Sequence, residues 1–193
     1  MRSLINLFSI LLLLFGTQSM PLRTSAAEDS PGDETSEPQS MRPLSPDESL
    51  ALIQISEGLR VELVASEPAV VDPIAVRFDE FGRMWVIEMR DYPHGPAEGQ
   101  SPMSSIRLLE DKNRDGTFES STLFAEGLLF PTGLQPWQGG ILVTLSGRII
   151  YLKDTNGDGR ADEEQTWFKG FAEENPQLRA NHPRFALDNH IYV

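Results

Sequence analysis

Two short segments carry oxygen-bearing side chains at the spacing of a cation-binding loop. The segment that begins at Asp154 reads DTNGDGRAD, and the one that begins at Asp111 reads DKNRDGTFE. Oxygen ligands at positions 1, 3 and 5, with glycine at position 6 for a sharp turn, suit Ca²⁺, and position 9 is acidic in both copies. The predicted ligands are Asp154, Asn156, Asp158 and Asp162 in one loop and Asp111, Asn113, Asp115 and Glu119 in the other.

Neither loop is an EF-hand, because position 12 holds Thr122 and Gln165 instead of glutamate and strand-like sequence flanks both loops. The alternative is a metal-free turn in which Asx side chains bind their own backbone. Both interpretations predict that the loops stiffen hairpins rather than catalyse. Calcium is expected more in the second loop, because Arg114 adds positive charge to the first.

A second set of polar residues could act on a substrate. The candidate catalytic residues are Glu88, Arg90, Asp91, Arg179, Asn181 and His182, with Tyr92, His94 and Thr132 expected beside them. Acids, guanidinium groups and an imidazole at one cavity could orient a polyol and remove a proton. The alternative is that Glu88 and Arg90 form a buried structural pair and that His182 is an ordinary loop residue.

The elements that would position these residues form a repeat. Asp111 and Asp154 lie 43 positions apart, and the same offset relates Gly127 to Gly170. A period of about 40–50 residues is typical of a four-stranded propeller blade. In a propeller the candidate catalytic residues would share one face and the Asp-rich loops the other.

Alternating apolar residues and turn signals place the strands. Inner hairpins are predicted at 74–87, 133–143 and 185–193, outer hairpins at 105–125 and 147–168, and a lone strand at 59–64. The predicted fold is all-β, a partial β-propeller over 45–193 with about two and a half four-stranded blades. Because so few blades cannot close a ring, we expect the chain to be the N-terminal part of a larger domain.

The N-terminal region predicts export. Residues 1–27 combine Arg2, a short apolar run and small residues before Glu28, as in a secretory signal peptide. Residues 28–44 predict a disordered acidic Ser/Pro linker, and Ser45 with Glu48 predicts the capping box of a short helix. The expected location is periplasmic or extracellular, with membrane association open.

Composition excludes several functions. The net charge of −13 argues against nucleic acid as a partner. The chain has no cysteine, which excludes disulfides, thiolate metal sites and covalent c-type haem within it.

Several ordered motifs resemble a known family. They include RVELVASEP at 60–68, MWVIEMRDYP at 84–93, FPTG at 130–133, LKDTNGDGRAD at 152–162 and LDNHIY at 187–192. Together they resemble the start of PVC-type membrane-bound dehydrogenases, exported bacterial haem-binding CxxCH proteins with a glucose/sorbosone dehydrogenase-like propeller. The chain departs from that family because it has no CxxCH, and it has Leu178 where the family often has histidine.

The resemblance implies oxidation of a sugar or polyol, with pyrroloquinoline quinone (PQQ) as cofactor or haem on a downstream cytochrome domain. Further C-terminal blades or that cytochrome domain would be the partners, and the isolated chain is expected to be inactive. Two alternatives stay open: a calcium-stiffened propeller that binds carbohydrate or protein without catalysis, and a propeller lactonase whose axial metal Glu88 and Asn181 would help to hold.

Overall fold

A computed structural model of the chain describes residues 42–193, and these residues form a mostly β structure. The strands are β1 (Pro73–Phe78), β2 (Met84–Glu88), β3 (Ser104–Glu110), β4 (Ser120–Leu128), β5 (Gly133–Trp137), β6 (Gly140–Leu145), β7 (Arg148–Lys153), β8 (Glu163–Lys169), β9 (Arg184–Phe185) and β10 (Ile191–Tyr192). The all-β prediction is therefore confirmed. The predicted signal peptide and nearly all of the predicted linker lie outside the described residues.

One short helix, α1 (Pro46–Leu52), precedes the strands. The Ser45 hydroxyl accepts from the Glu48 N–H at 3.3 Å, and the Ser45 N–H donates to the Glu48 carboxylate at 2.8 Å. The predicted capping box is thus confirmed, and it supplies the first helical amides with acceptors. No helix among residues 42–193 is long and apolar enough to cross a membrane.

The strands form two antiparallel sheets of four strands and one hairpin. The first sheet has the order β1-β2-β3-β4, the second β5-β6-β7-β8, and β9 pairs with β10. Each strand therefore pairs with at least one neighbour in the chain, which confirms the predicted hairpins; their inner and outer positions in a propeller stay a prediction. At the β1–β2 turn, the Asp79 carboxylate accepts from the N–H groups of Phe81 and Arg83 at 3.0 Å each.

A buried apolar cluster shared by the two four-stranded sheets explains why they pack against each other. The main apolar cluster joins residues of the first sheet, such as Ile87 and Ile106, to residues of the second, such as Val143 and Ile150. Burial of one such side chain contributes about 1.5–3 kcal/mol. The middle strands β2 and β6 are buried along their whole length, so these two strands are covered on both faces, whereas the edge strands β1 and β8 are largely exposed.

Smaller clusters cover the outer faces. Val70 packs on Met84 and Val86 of the first sheet. Ile191 of the β9–β10 hairpin packs against Leu142 and neighbouring residues of the second sheet. The β9–β10 hairpin therefore packs on the second sheet, just as the second sheet packs on the first. The first strands of the two sheets, β1 and β5, are in contact.

The lone strand predicted at 59–64 has no partner among the described residues, and it stays a prediction. These residues pair with no strand among residues 42–193, and Leu59 is 58% exposed. Their link to the sheets is a backbone bond from the Phe118 N–H to the Val64 carbonyl at 2.9 Å. Alternating side chains do not make a strand without a neighbouring strand to satisfy its amides.

Candidate functional site

Glu88, the first candidate catalytic residue, is a buried hydrogen-bond hub. The last residue of β2, it is fully buried. Its carboxylate accepts from the Ser105 hydroxyl at 2.7 Å, the Val71 N–H at 2.8 Å and Arg107 Nε at 3.0 Å. Arg90 is a fourth partner at 3.3 Å. The carboxylate therefore ties together β2, β3 and the segment before β1.

The charge of Glu88 is stabilised by these donors. Burial opposes ionisation and is the largest single influence on the carboxyl group. The hydrogen bonds from Ser105, the Val71 N–H and Arg107 together outweigh burial and hold the pKa of Glu88 below its ordinary value. A carboxylate with four donors and a lowered pKa is a poor proton acceptor, so the geometry favours the structural interpretation of Glu88 and Arg90.

Asp91 is also occupied in holding a loop. It is 6% exposed, and its carboxylate accepts from the Ser104 hydroxyl at 2.7 Å and the Met103 N–H at 3.1 Å. Its own carbonyl accepts from the Gly95 N–H at 2.7 Å. Asp91 therefore closes the long loop between β2 and β3.

The remaining candidates meet at one pocket of about 350 Å³. It is lined by Ile74, Met89, Tyr92, Thr132, Pro176, Arg179, Asn181 and His182. These residues come from the start of β1, the β2–β3 loop, the β4–β5 connection and the β8–β9 connection. Because successive strands are antiparallel, all four segments lie at the same end of the sheets. The structure brings Arg179, Asn181 and His182 together with Tyr92 and Thr132, five of the nine residues expected on this face, and a catalytic role for them stays a prediction. Glu88, Arg90, Asp91 and His94 do not line the pocket.

Thr132 and Gly133 fix the wall of the pocket that carries His182. The Thr132 hydroxyl lies 2.7 Å from the Ala180 carbonyl oxygen and 2.8 Å from the Thr144 hydroxyl. A Cβ atom on Gly133 would lie 2.5 Å from the backbone nitrogen of His182. Glycine is therefore required here for the 180–182 segment to pack against β5.

His182 accepts hydrogen bonds from two arginines. Its Nε2 atom lies 3.0 Å from Arg77 NH2 and 2.7 Å from Arg184 NH2. Because guanidinium groups only donate, Nε2 must accept, and the ring is neutral. Burial first, and then the charges of Arg77 and Arg184, lower the pKa of His182. Neither arginine is among the residues predicted from the sequence, although Arg77 alternates with the apolar residues of β1 and Arg184 is two residues from His182.

Arg179 is positioned by an aromatic ring and a backbone carbonyl. Its guanidinium carbon lies 4.3 Å from the centroid of the Phe130 ring, and its Nε and NH2 atoms donate to the Glu173 carbonyl at 3.3 and 3.2 Å. Tyr92 stands edge-on to Phe130 with centroids 6.4 Å apart. Phe130 therefore links two side chains that line the pocket.

The two Asp-rich loops lie at the opposite end of the sheets, between β3 and β4 and between β7 and β8. Asp111 accepts from the Gly116 N–H at 2.9 Å, and Asp154 accepts from the Gly159 N–H at 2.8 Å. The side chains of the other predicted ligands also accept from backbone N–H groups of their own loop, and each bond has an equivalent in the other loop. The equivalent acceptors are Asn113 and Asn156, Asp115 and Asp158, and Glu119 and Asp162. The predicted ligands thus cap their own loops.

These backbone bonds account for the electrostatics of the loops. The N–H groups of Gly159 and Gly157 lower the pKa of Asp154, and the N–H of Thr117 lowers that of Asp115. No group of three or more His, Cys, Asp or Glu side chains in residues 42–193 is placed to bind one metal ion. The geometry supports the Asx-turn interpretation, and calcium stays a prediction.

The described residues thus define an all-β chain of antiparallel four-stranded sheets with a polar pocket at the end where the sheets are joined. The sequence model of one family matches residues 45–193, and the chain belongs to that family, which is described as a domain of unknown function (DUF7133). No curated protein matches the chain, and neither does any solved structure.

Proposed function

We propose that the two sheets and the hairpin are consecutive blades of a β-propeller. Each sheet is an up-and-down meander in chain order, and the Asp-rich loops repeat at a fixed offset. The first strands β1 and β5 are neighbours, as the innermost strands of adjacent blades would be. The packing of the β9–β10 hairpin on the second sheet continues the same stacking. A closed ring would require at least four such blades.

The pocket is the ligand-binding region of this propeller, and its ligand is a sugar or polyol. The observation that carries this proposal is the convergence of Tyr92, Thr132, Arg179, Asn181 and His182 on a cavity of about 350 Å³. Amide, hydroxyl and guanidinium groups can bind several hydroxyls at once, and the nearby Met89 and Ile74 side chains offer apolar contact to a sugar ring. The chain would contribute this region to an exported sugar or alcohol dehydrogenase, the class that its motifs resemble.

The residues favour substrate binding more directly than proton removal. His182 is neutral, as a base must be, but its Nε2 lone pair accepts from Arg77 and Arg184. Both guanidinium groups would have to turn away before Nε2 could take a hydroxyl proton. PQQ, when bound, would supply the two-electron acceptor. Covalently attached c-type haem would belong to a separate cytochrome domain, because the chain has no cysteine to attach it.

A binding module without catalysis is the second candidate, since Glu88 and Asp91 serve structure instead of the pocket. The lactonase alternative has less support, because Glu88 does not line the pocket with Asn181.

Calorimetric titration of the purified chain with glucose, glucitol and xylitol tests the binding proposal. We expect saturable binding that Asn181→Ala weakens at least tenfold, whereas His94→Ala, at an exposed position outside the pocket, leaves it unchanged. Equal weakening by both variants, or no saturable binding, would contradict the proposal. Dye-linked oxidation of the bound sugar with and without added PQQ then separates a dehydrogenase from a binding module.

A further inference from the structure

Three arginines lie at or next to the pocket without a carboxylate partner: Arg179 lines it, and Arg77 and Arg184 contact the lining residue His182. Among residues 42–193, no carboxylate oxygen of an Asp or Glu side chain lies within 4.0 Å of their guanidinium nitrogens. By contrast, Arg83 pairs with Asp79, Arg107 with Glu88 and Arg148 with Glu164. In a chain with a net charge of −13, unpaired arginines grouped at a cavity need an explanation.

The arrangement places positive charges next to each other. Arg77 and Arg184 reach the same atom, Nε2 of His182, so their guanidinium groups repel. The desolvation of Arg77 and the charge of Arg184 lower the pKa of Arg77. This repulsion is centred on His182, which lines the cavity together with Arg179. An anion in that cavity would remove the repulsion, because guanidinium groups bind carboxylate and phosphate oxygens in a bidentate fork.

We propose that the pocket holds the oxyanion group of its ligand, a carboxylate or phosphate bound by Arg179 at the pocket wall and by Arg77 and Arg184 beside His182. This inference rests on the proposed sugar-binding function and narrows it to acidic sugars, either sugar acids or sugar phosphates. Tyr92, Thr132 and Asn181 would bind the hydroxyl groups of the same ligand. Arg77 and Arg184 already have His182 as a hydrogen-bond acceptor, so the anion would share or replace that acceptor.

Gluconate and glucitol test the proposal, because they differ only in a carboxylate or a hydroxymethyl group at one end. A charge-assisted hydrogen bond contributes enough to give gluconate at least a roughly tenfold lower Kd at low salt. We expect Arg184→Gln and Arg77→Gln each to reduce this preference at least about threefold. The control Arg148→Gln, which removes an exposed ion pair of the second sheet, should leave the preference unchanged. Thermal melts establish that each variant is folded.

The outcomes separate the two proposals. Equal affinity for gluconate and glucitol overturns the anion site and leaves the sugar-binding function standing, whereas binding of neither ligand overturns both. Glucose 6-phosphate binding more tightly than gluconate identifies the oxyanion as phosphate, and the reverse order identifies it as carboxylate. If the Arg77 and Arg184 variants do not fold, NMR of the wild-type protein decides. The anion site requires that gluconate shift the His182 ring signals more than glucitol does, and equal shifts overturn it.

Discussion

At the scale of single residues, surroundings decide what a carboxylate does. Glu88 and Asp91 have the residue type and sequence position of catalytic acids, yet each accepts hydrogen bonds from neighbouring strands and loops. His182 and Arg179, by contrast, lie at the open pocket. The polar side chains that line the pocket are therefore cationic or neutral, and no acid is among them.

Glu88→Gln tests the structural role. We expect the free energy of unfolding to fall by about 3 kcal/mol, because the substitution leaves Arg107 and Arg90 without their buried charged partner. The matched control Glu164→Gln breaks an exposed pair and should cost less than about 1 kcal/mol. Urea unfolding at pH 7 measures both.

The pH dependence of the free energy of unfolding, compared between the wild-type protein and Glu88→Gln, tests the direction of the pKa shift of Glu88. The lowered pKa of Glu88 means that the unfolded chain binds the proton more tightly than the folded one. Its stabilising effect is therefore complete above the ordinary glutamate pKa of about 4.3 and is lost as the pH falls below it. Wild-type stability should drop more steeply than that of Glu88→Gln as the pH falls from 5 to 3. Parallel curves would contradict the role assigned to Glu88.

At the scale of elements, the two Asp-rich loops are the same structure built from different residues. Position 4 has a left-handed backbone in both, with φ of 62° at Arg114 and 84° at Gly157. In this conformation the Cβ atom of an L-residue lies too close to the following carbonyl oxygen, whereas glycine has no Cβ atom. The first loop therefore carries strain that the second does not, while their backbone bonds are equivalent.

Exchanging these residues measures that strain. Arg114→Gly should raise the free energy of unfolding by about 0.5 kcal/mol, since relief of strain exceeds the added entropy of the unfolded chain. Gly157→Arg should lower it by about 1 kcal/mol. Arg160→Gly is the control, because Arg160 is not among the positive-φ residues, and it should be destabilising. A loss of stability in Arg114→Gly would refute the interpretation that Arg114 strains the first loop.

Thermal melts of these variants with calcium and with a chelator test the cation prediction in each loop.

At the scale of the whole described structure, the two sheets share one core. Trp85, Ile87 and Ile106 of the first sheet belong to the same buried cluster as Ile141 and Ile150 of the second. Such packing couples the sheets, because neither can open without exposing apolar surface of the other.

Ile150→Ala tests that coupling. The side chain is fully buried, and its truncation should cost about 2–5 kcal/mol through lost burial and the cavity left behind. Amide hydrogen exchange should accelerate in β2 and β3 as well as in β6 and β7. Acceleration confined to the second sheet would show that the sheets unfold independently. Trp167→Ala, at a 41% exposed position on β8, should leave exchange in the first sheet unchanged.

The sequence by itself determined the repeating hairpins, the capped helix and the grouping of Tyr92, Thr132, Arg179, Asn181 and His182. Turn chemistry and alternating hydrophobicity are local properties, and antiparallel alternation then fixes which loops share an end of the sheets. The lone strand predicted at 59–64 has no paired neighbour among residues 42–193, and its status depends on a partner that could satisfy its backbone.

Only the tertiary structure decided what the candidate residues do. The donors of Glu88 are Val71, Ser105, Arg107 and Arg90, which lie up to 19 positions away in the chain, and Arg77 meets His182 across 105 positions. No pattern in the sequence brings such residues together. The contacts of Glu88 depend on the register of β2 against β3 and on the segment before β1, and that of Arg77 depends on how the segment before β9 packs beside β1. Burial and hydrogen-bond partners set the charge and availability of a side chain, and both are consequences of that packing.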